Sequence, residues 1–225
     1  MKKLAIALLC VCAAGGVMAA AAPTMNETGS WYANIMAGAS FPVAMTTRDA
    51  SGGWLKSKYN PGFSGGIAGG YEFANAISLE GQLGYIYNGV DKFQPSSTGT
   101  WSSSGHGSTS ATDYMVNAFY HFYNASHFVP YFGLGLGGIT VYHNWKPKNA
   151  SGTTISLKGN DTVFAYQGIA GVAYQFNAQW SLGLDYRYLA SSQGKYKLKV
   201  AGVKGTVKEY YRTNLVNLGL TYHFS

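Results

Sequence analysis

The segment from Val163 to Tyr188, VFAYQGIAGVAYQFNAQWSLGLDYRY, limits the possible folds more than any other stretch of the chain. Every second residue gives Phe164, Tyr166, Gly168, Ala170, Val172, Tyr174 and Phe176, then Trp180, Leu182, Leu184, Tyr186 and Tyr188. The intervening positions carry Gln167, Gln175, Ser181, Asp185 and Arg187 among small residues. A period of two belongs to strands with two different environments. The break at Asn177-Ala178-Gln179 is short enough for a tight turn, so the pair reads as a β-hairpin. Its apolar face carries rings at both ends and small or aliphatic residues between them. A soluble sandwich has no cause to hold rings at two fixed heights on an outer face, whereas a lipid-facing strand does.

The same alternation recurs along the chain. It predicts strands over Trp31–Ser40, Gly62–Phe73, Ile77–Asn88, Thr112–Tyr123, Phe128–Tyr142 and Glu209–Phe224, besides the hairpin's two. Glycines make Gly62–Phe73 the weakest of these, since glycine inside a strand can mark a bulge. The connections alternate in length. Pro42–Tyr59, Gly89–Ala111, His143–Asp161 and Leu189–Lys208 are long, and the one over Gly89–Ala111 holds the low-complexity run SSTGTWSSSGHGSTSAT, expected to be mobile. Those at Ala74–Ala76, Asn124–His127 and Asn177–Gln179 are short. An even number of strands with alternating short turns and long loops is the pattern of a bacterial transmembrane barrel. The expected fold is therefore all-β, an eight-stranded antiparallel up-and-down transmembrane β-barrel. Its termini and short turns belong in the periplasm, and its long loops, centred near residues 50, 100, 152 and 200, belong outside.

Composition agrees. Of 225 residues only 11% are charged, against roughly a quarter in soluble domains, while 15% are aromatic, with 30 glycines and 18 tyrosines. No later segment is apolar over the ~18 residues a membrane helix needs. The chain opens with Lys2 and Lys3, an apolar run Leu4–Val11 and the small-residue pattern Val17-Met18-Ala19, which reads as a secretory signal peptide cut after Ala19. The expected organisation is residues 1–19 as leader, 20–30 as a short periplasmic segment and 31–225 as the barrel. Cys10 and Cys12, the only cysteines, leave with that leader, so the exported chain must be stable without disulfides. Two lysines leave as well, taking the formal charge from +7 to +5.

These residues resemble the small eight-stranded outer-membrane barrels of the opacity-protein type and the transmembrane domain of outer membrane protein A. The resemblance is carried by PYFGLGLG at 130–137, GIAGVAY at 168–174, WSLGLDYRY at 180–188 and LGLTYHF at 218–224. It extends over the whole chain after the leader and specifies architecture far more than activity. It implies a bacterial outer-membrane location and insertion by the barrel assembly machinery through an aromatic at the end of the last strand, here Phe224 before Ser225; some relatives carry a peptidoglycan-binding domain after the barrel, and none is expected here.

Chemistry is sparse. Glu80, Gln82, Gln167, Gln175, Asp185 and Arg187 fall on inward faces. An eight-stranded barrel is just wide enough for its side chains to fill it, and buried charges need partners. They are expected to form an internal ion-pair and hydrogen-bond network; a proton or ion path is the alternative. Because small outer-membrane barrels include lipid A deacylases and acyltransferases, His106-Gly107-Ser108 is a candidate nucleophilic site. It falls in a serine-crowded predicted loop with no acid to orient the histidine. No histidine pair has metal-ligand spacing, so neither metal nor cofactor is expected. Lys195, Lys197, Lys199, Lys204 and Lys208 alternate through the last long connection and predict a hairpin with one basic face, suited to lipopolysaccharide phosphates, acidic glycans or a host surface. Nucleic acid is not an expected partner, and the chain is expected to be monomeric. The reading is a non-enzymatic surface protein whose barrel anchors its loops, contributing to envelope integrity and surface interaction. A narrow pore for small or hydrophobic solutes is the alternative, and a lipid-modifying enzyme a more distant one.

Overall fold

A computed structural model describes residues 29–48, 54–95, 105–147, 157–200 and 203–224. The predicted leader, the segment from 20 to 28 and the centres of the four long connections lie outside these residues. Among the described residues every element is a strand: β1 (Ser30–Pro42), β2 (Met45–Arg48), β3 (Trp54–Tyr59), β4 (Gly62–Glu72), β5 (Ile77–Pro95), β6 (Gly105–His121), β7 (Phe128–Pro147), β8 (Leu157–Gln175), β9 (Trp180–Val200) and β10 (Val203–His223). After a break at Val43-Ala44, β2 continues the line of β1, and β3 leads into β4 across Asn60-Pro61. The ten pieces therefore make eight staves. Each pairs antiparallel with the next, and β1 closes the ring against β10 from Tyr32↔His223 to Pro42↔Thr213. Among the described residues each stave is paired on both sides through the ring, whereas the extensions beyond it, such as 157–164 of β8 and 193–200 of β9, pair on one side only.

The strands run further than alternation predicted. Beyond Asn88 β5 continues to Pro95, beyond Tyr142 β7 continues to Pro147, and beyond Tyr188 β9 continues to Val200. Much of each predicted long loop is thus paired strand. Pro42–Tyr59 contains the β2–β3 hairpin, with Met45 opposite Ser57 and Arg48 opposite Trp54. Gly105–Ala111, placed in the low-complexity loop by sequence, belongs to β6 and pairs with β7. The glycines of β4 introduce no bulge, for its register with β1 and β5 is unbroken. Irregularities occur instead at the hairpin end of the barrel, between Lys58 and Tyr59 and between Tyr210 and Arg212.

Side chains sort by parity as the alternation requires. Ile35, Ile67, Leu83, Val116, Leu134, Leu184 and Leu218 stand exposed on the outer wall. Rings bound this band. At the end with short turns, the turn end, lie Trp31, Tyr71, Phe122, Phe128, Phe176 and Trp180, packed edge-on in pairs such as Trp31–Tyr71 at 5.2 Å and Tyr174–Phe176 at 5.2 Å. Towards the other end, the hairpin end, lie Phe63, Tyr85, Tyr87, Phe164, Tyr166 and Tyr186. From Ile77 to Tyr87 the chain advances ~34 Å along the strand, which at a tilt of about 40° spans ~26 Å and matches an apolar band of about 25 Å. The remainder of β5, to Pro95, projects roughly 20 Å further.

The turns are built by side chains that satisfy the backbone. Asn177 Oδ1 accepts from the amides of Gln179 and Trp180 at 2.9 and 2.8 Å. Asn124 Oδ1 accepts from the Ser126 amide at 2.8 Å, while its Nδ2 donates to the carbonyl of Phe128 at 2.9 Å. In the third turn Ala76 takes the left-handed conformation, with φ 65°.

Candidate functional site in the barrel interior

The lumen is filled, and its filling changes along the axis. At mid-height Arg187 donates through Nη2 and Nε to the two carboxylate oxygens of Asp185, at 2.8 and 2.9 Å, and through Nη1 to Gln82 Oε1 at 2.6 Å. The same oxygen of Gln82 accepts from Asn117 Nδ2 at 2.9 Å and Gln167 Nε2 at 3.1 Å. Gln82 Nε2 in turn donates to Asp113 at 2.7 Å. Asn117 Nδ2 also reaches Glu80 at 3.0 Å, and Tyr32 donates its hydroxyl to Glu80 at 3.3 Å. Asn217 bridges Ser64 and Asp185, so seven of the eight staves contribute to one network.

Local sequence makes this possible. The charged residues sit at inward positions of long strands, and inward glycines on neighbouring strands leave room for them. A Cβ at Gly135 would meet Gln167 Cγ at 2.8 Å, and one at Gly84 would lie 2.8 Å from the Asp113 carboxylate carbon. Arg187 is 4% and Asp185 5% exposed. Charges so deeply buried cost several kcal/mol each unless fully partnered, and here the guanidinium makes three hydrogen bonds, two to Asp185 and one to Gln82.

Five of the six polar interior residues singled out from sequence, Glu80, Gln82, Gln167, Asp185 and Arg187, are buried within this network. Gln175 lies nearer the turn end. Sequence reasoning did not single out Asp113, Asn117 or Tyr32, although their parity places them inside, and it placed Asn217 inward without assigning it to the network. Gln82, Asn117 and Asn217 carry much of the connectivity, and polar residues at inward parity were the available signal.

Towards the hairpin end the lumen becomes apolar. Ile86, Ala111, Met115, Ile139, Val141, Ala165, Leu189, Tyr211 and Leu215 form one buried cluster with Tyr59. Beside it Ser40 donates to Asn88 Oδ1 at 2.9 Å and lies 3.2 Å from the Thr213 hydroxyl. Towards the turn end the lumen is aromatic and acidic: Glu72 is hydrogen-bonded by the Tyr123 hydroxyl and lies 3.8 Å from His223 Nδ1, and the Ser78 hydroxyl is 3.1 Å from His121 Nε2.

His106 and Ser108, weighed from sequence as loop residues, lie in β6 with backbone register to Lys146 and Asn144. Both arms of the basic ribbon are likewise strand, to Val200 in β9 and from Val203 in β10. Its register sets Lys195 opposite Lys208, Lys197 opposite Thr206 and Lys199 opposite Lys204, with Arg48 of β2 alongside Lys208. Next along β10 comes exposed Tyr210, with the Arg212 guanidinium 5.7 Å from its ring centre. Among the described residues no cluster of three metal-ligating side chains occurs.

A family model described as the outer membrane protein beta-barrel domain matches residues 7–224. An outer membrane protein of Gluconacetobacter diazotrophicus is 29% identical over 202 residues, which is 81% of this chain and 51% of that protein. The chain spans about half the length of the curated relatives it matches. Among solved structures, OprG of Pseudomonas aeruginosa superimposes with a TM-score of 0.58 at 14% identity, over 89% of this chain and all of that one. Neisserial surface protein A does so with a TM-score of 0.50 at 20% identity, over 88% of this chain and all of its own. At these identities the structural likenesses speak for the fold alone.

Proposed function

The chain belongs to the outer-membrane β-barrel family, and on that footing we propose that it is a non-enzymatic surface protein, its barrel an anchor and its projecting hairpins the parts that meet partners. The bacterial outer membrane is its location. One observation carries the reading: the lumen is occupied from the polar network through the apolar cluster, while β5 to β10 continue well beyond the outer ring of aromatics. A filled lumen leaves no path for solute, so the biology shifts to what protrudes.

The last hairpin is the best-equipped of these parts. Five lysines over residues 195–208, with Arg48 alongside, concentrate positive charge on one ribbon just above the membrane band. Such a ribbon attracts phosphates of lipopolysaccharide, acidic glycans or an anionic host surface, and its attraction falls with ionic strength. Within the ring no stave offers a free edge to a second copy, which favours a barrel that spans the membrane as a monomer.

A hydrolytic reading has little to stand on. Among the described residues Ser78 and His121 meet, but Ser78 is wholly buried, so a substrate carbonyl has no approach to its hydroxyl. The test is binding of the intact folded protein to immobilised lipopolysaccharide and to heparin-like polyanions. Replacing Lys195, Lys197, Lys199, Lys204 and Lys208 by Gln should abolish a salt-sensitive interaction while the barrel stays folded. Binding that is equally tight after all five replacements would refute the role of this hairpin.

A further inference from the structure

We infer that the lumen is a blind, water-accessible vestibule open only at the turn end, its floor the Arg187–Asp185 pair and its seal the apolar cluster behind them. In barrels of this family short turns face the periplasm, so the vestibule opens there. The inference rests on the barrel being closed, as proposed above, and adds where the closure lies.

Three observations support it. First, a cavity of about 70 Å³ lies inside the turn end, walled by Asn34, Tyr131, Gln175 and Thr221, and reaching Asp185 and Arg187. That is room for a few water molecules, since each needs about 10–15 Å³ of such space. Second, the inward side chains show a gradient. At the turn end Asn34, His121, Tyr123, Gln175, Thr221 and His223 keep partial exposure, whereas Ala111, Ile139, Val141, Ala165 and Leu189 at the hairpin end have none. Third, two acceptors in the vestibule wall, Asn34 Oδ1 and Gln175 Oε1, find no donor in the protein. Buried acceptors of this kind are satisfied by water in native proteins, whereas Ile86, Ala111, Ile139, Val141, Ala165 and Leu189 of the cluster carry no polar side-chain atom to satisfy.

The barrier therefore consists of apolar packing rather than of the ion pair. A small ion can approach Arg187 and Asp185 from the periplasm but meets a dry layer beyond them. In an otherwise cysteine-free chain, with Cys10 and Cys12 replaced by Ala, single cysteines read this directly. Thr221→Cys and Asn34→Cys sample the vestibule, Ala165→Cys and Ser40→Cys the sealed half, and Asn177→Cys is an exposed control. Each variant is folded in detergent micelles, where both ends of the barrel are open to solvent, and treated with a small cationic methanethiosulfonate. Folding of each is verified by its heat-dependent gel mobility.

Vestibule cysteines should be modified on the time scale of Asn177→Cys, and sealed-half cysteines only after heating. Repeating the Ala165→Cys measurement in an Arg187→Ala background should leave it protected, which locates the barrier in the apolar layer. Labelling of Ala165→Cys in the otherwise intact barrel, its appearance on loss of Arg187 alone, or protection of both vestibule positions would each overturn the inference. The two ideas fail separately. Protected vestibule cysteines in a non-conducting barrel would remove the vestibule and leave the anchor standing.

Discussion

Arg187 shows how one side chain can be both costly and necessary. Its guanidinium is taken out of water and repaid by Asp185 and Gln82. Replacing Arg187 by Met should cost ~3–5 kcal/mol of folding free energy, because it leaves Asp185 buried without its partner. Replacing both Asp185 and Arg187, by Leu and Met, should cost less than the sum of the single losses. Urea titration in lipid vesicles measures both, and strict additivity would mean the pair is not coupled. Gly135 tests the space the network needs. A methyl group there would press on Gln167 Cγ, so Gly135→Ala should destabilise by ~1–3 kcal/mol although alanine is ordinarily the better tolerated residue. Such partners were the least legible part of the sequence. Parity tells that Gln82 and Arg187 both point inward, but they stand 105 residues apart, and nothing in a period of two gives height or azimuth.

At the scale of the strand, most of the architecture was readable. Within the membrane one face meets hydrocarbon and the other a polar lumen, and this contrast writes the alternation into β4, β5, β8 and β10. The outward set of β5, Leu79, Leu83 and Tyr85, is exposed as predicted. Leu83→Arg, near mid-height, should cost ~2–4 kcal/mol, and an unchanged folding free energy would place β5 the other way round. Strand ends were less legible for a physical reason. From the outer ring of aromatics onward the inward positions turn apolar, as at Ile86, Ile139, Val141 and Leu189. The contrast that defined each strand fades or inverts, so a strand that continues reads as one that stops. The same change hid the seal, whose residues look like strand endings rather than a core.

For the molecule as a whole, the closed hydrogen-bonded ring explains why a protein with so few charges and no disulfide within residues 29–224 can hold together. Its unfolding in detergent should require heat, visible as a change in gel mobility between unboiled and boiled samples. Identical mobility would contradict the closed ring. The reading of this barrel as an anchor turns on closure of its lumen, and single-channel recording of the purified protein in planar bilayers tests that most directly. The account predicts a silent membrane across the working voltage range. Steady, discrete openings from the intact chain would contradict it.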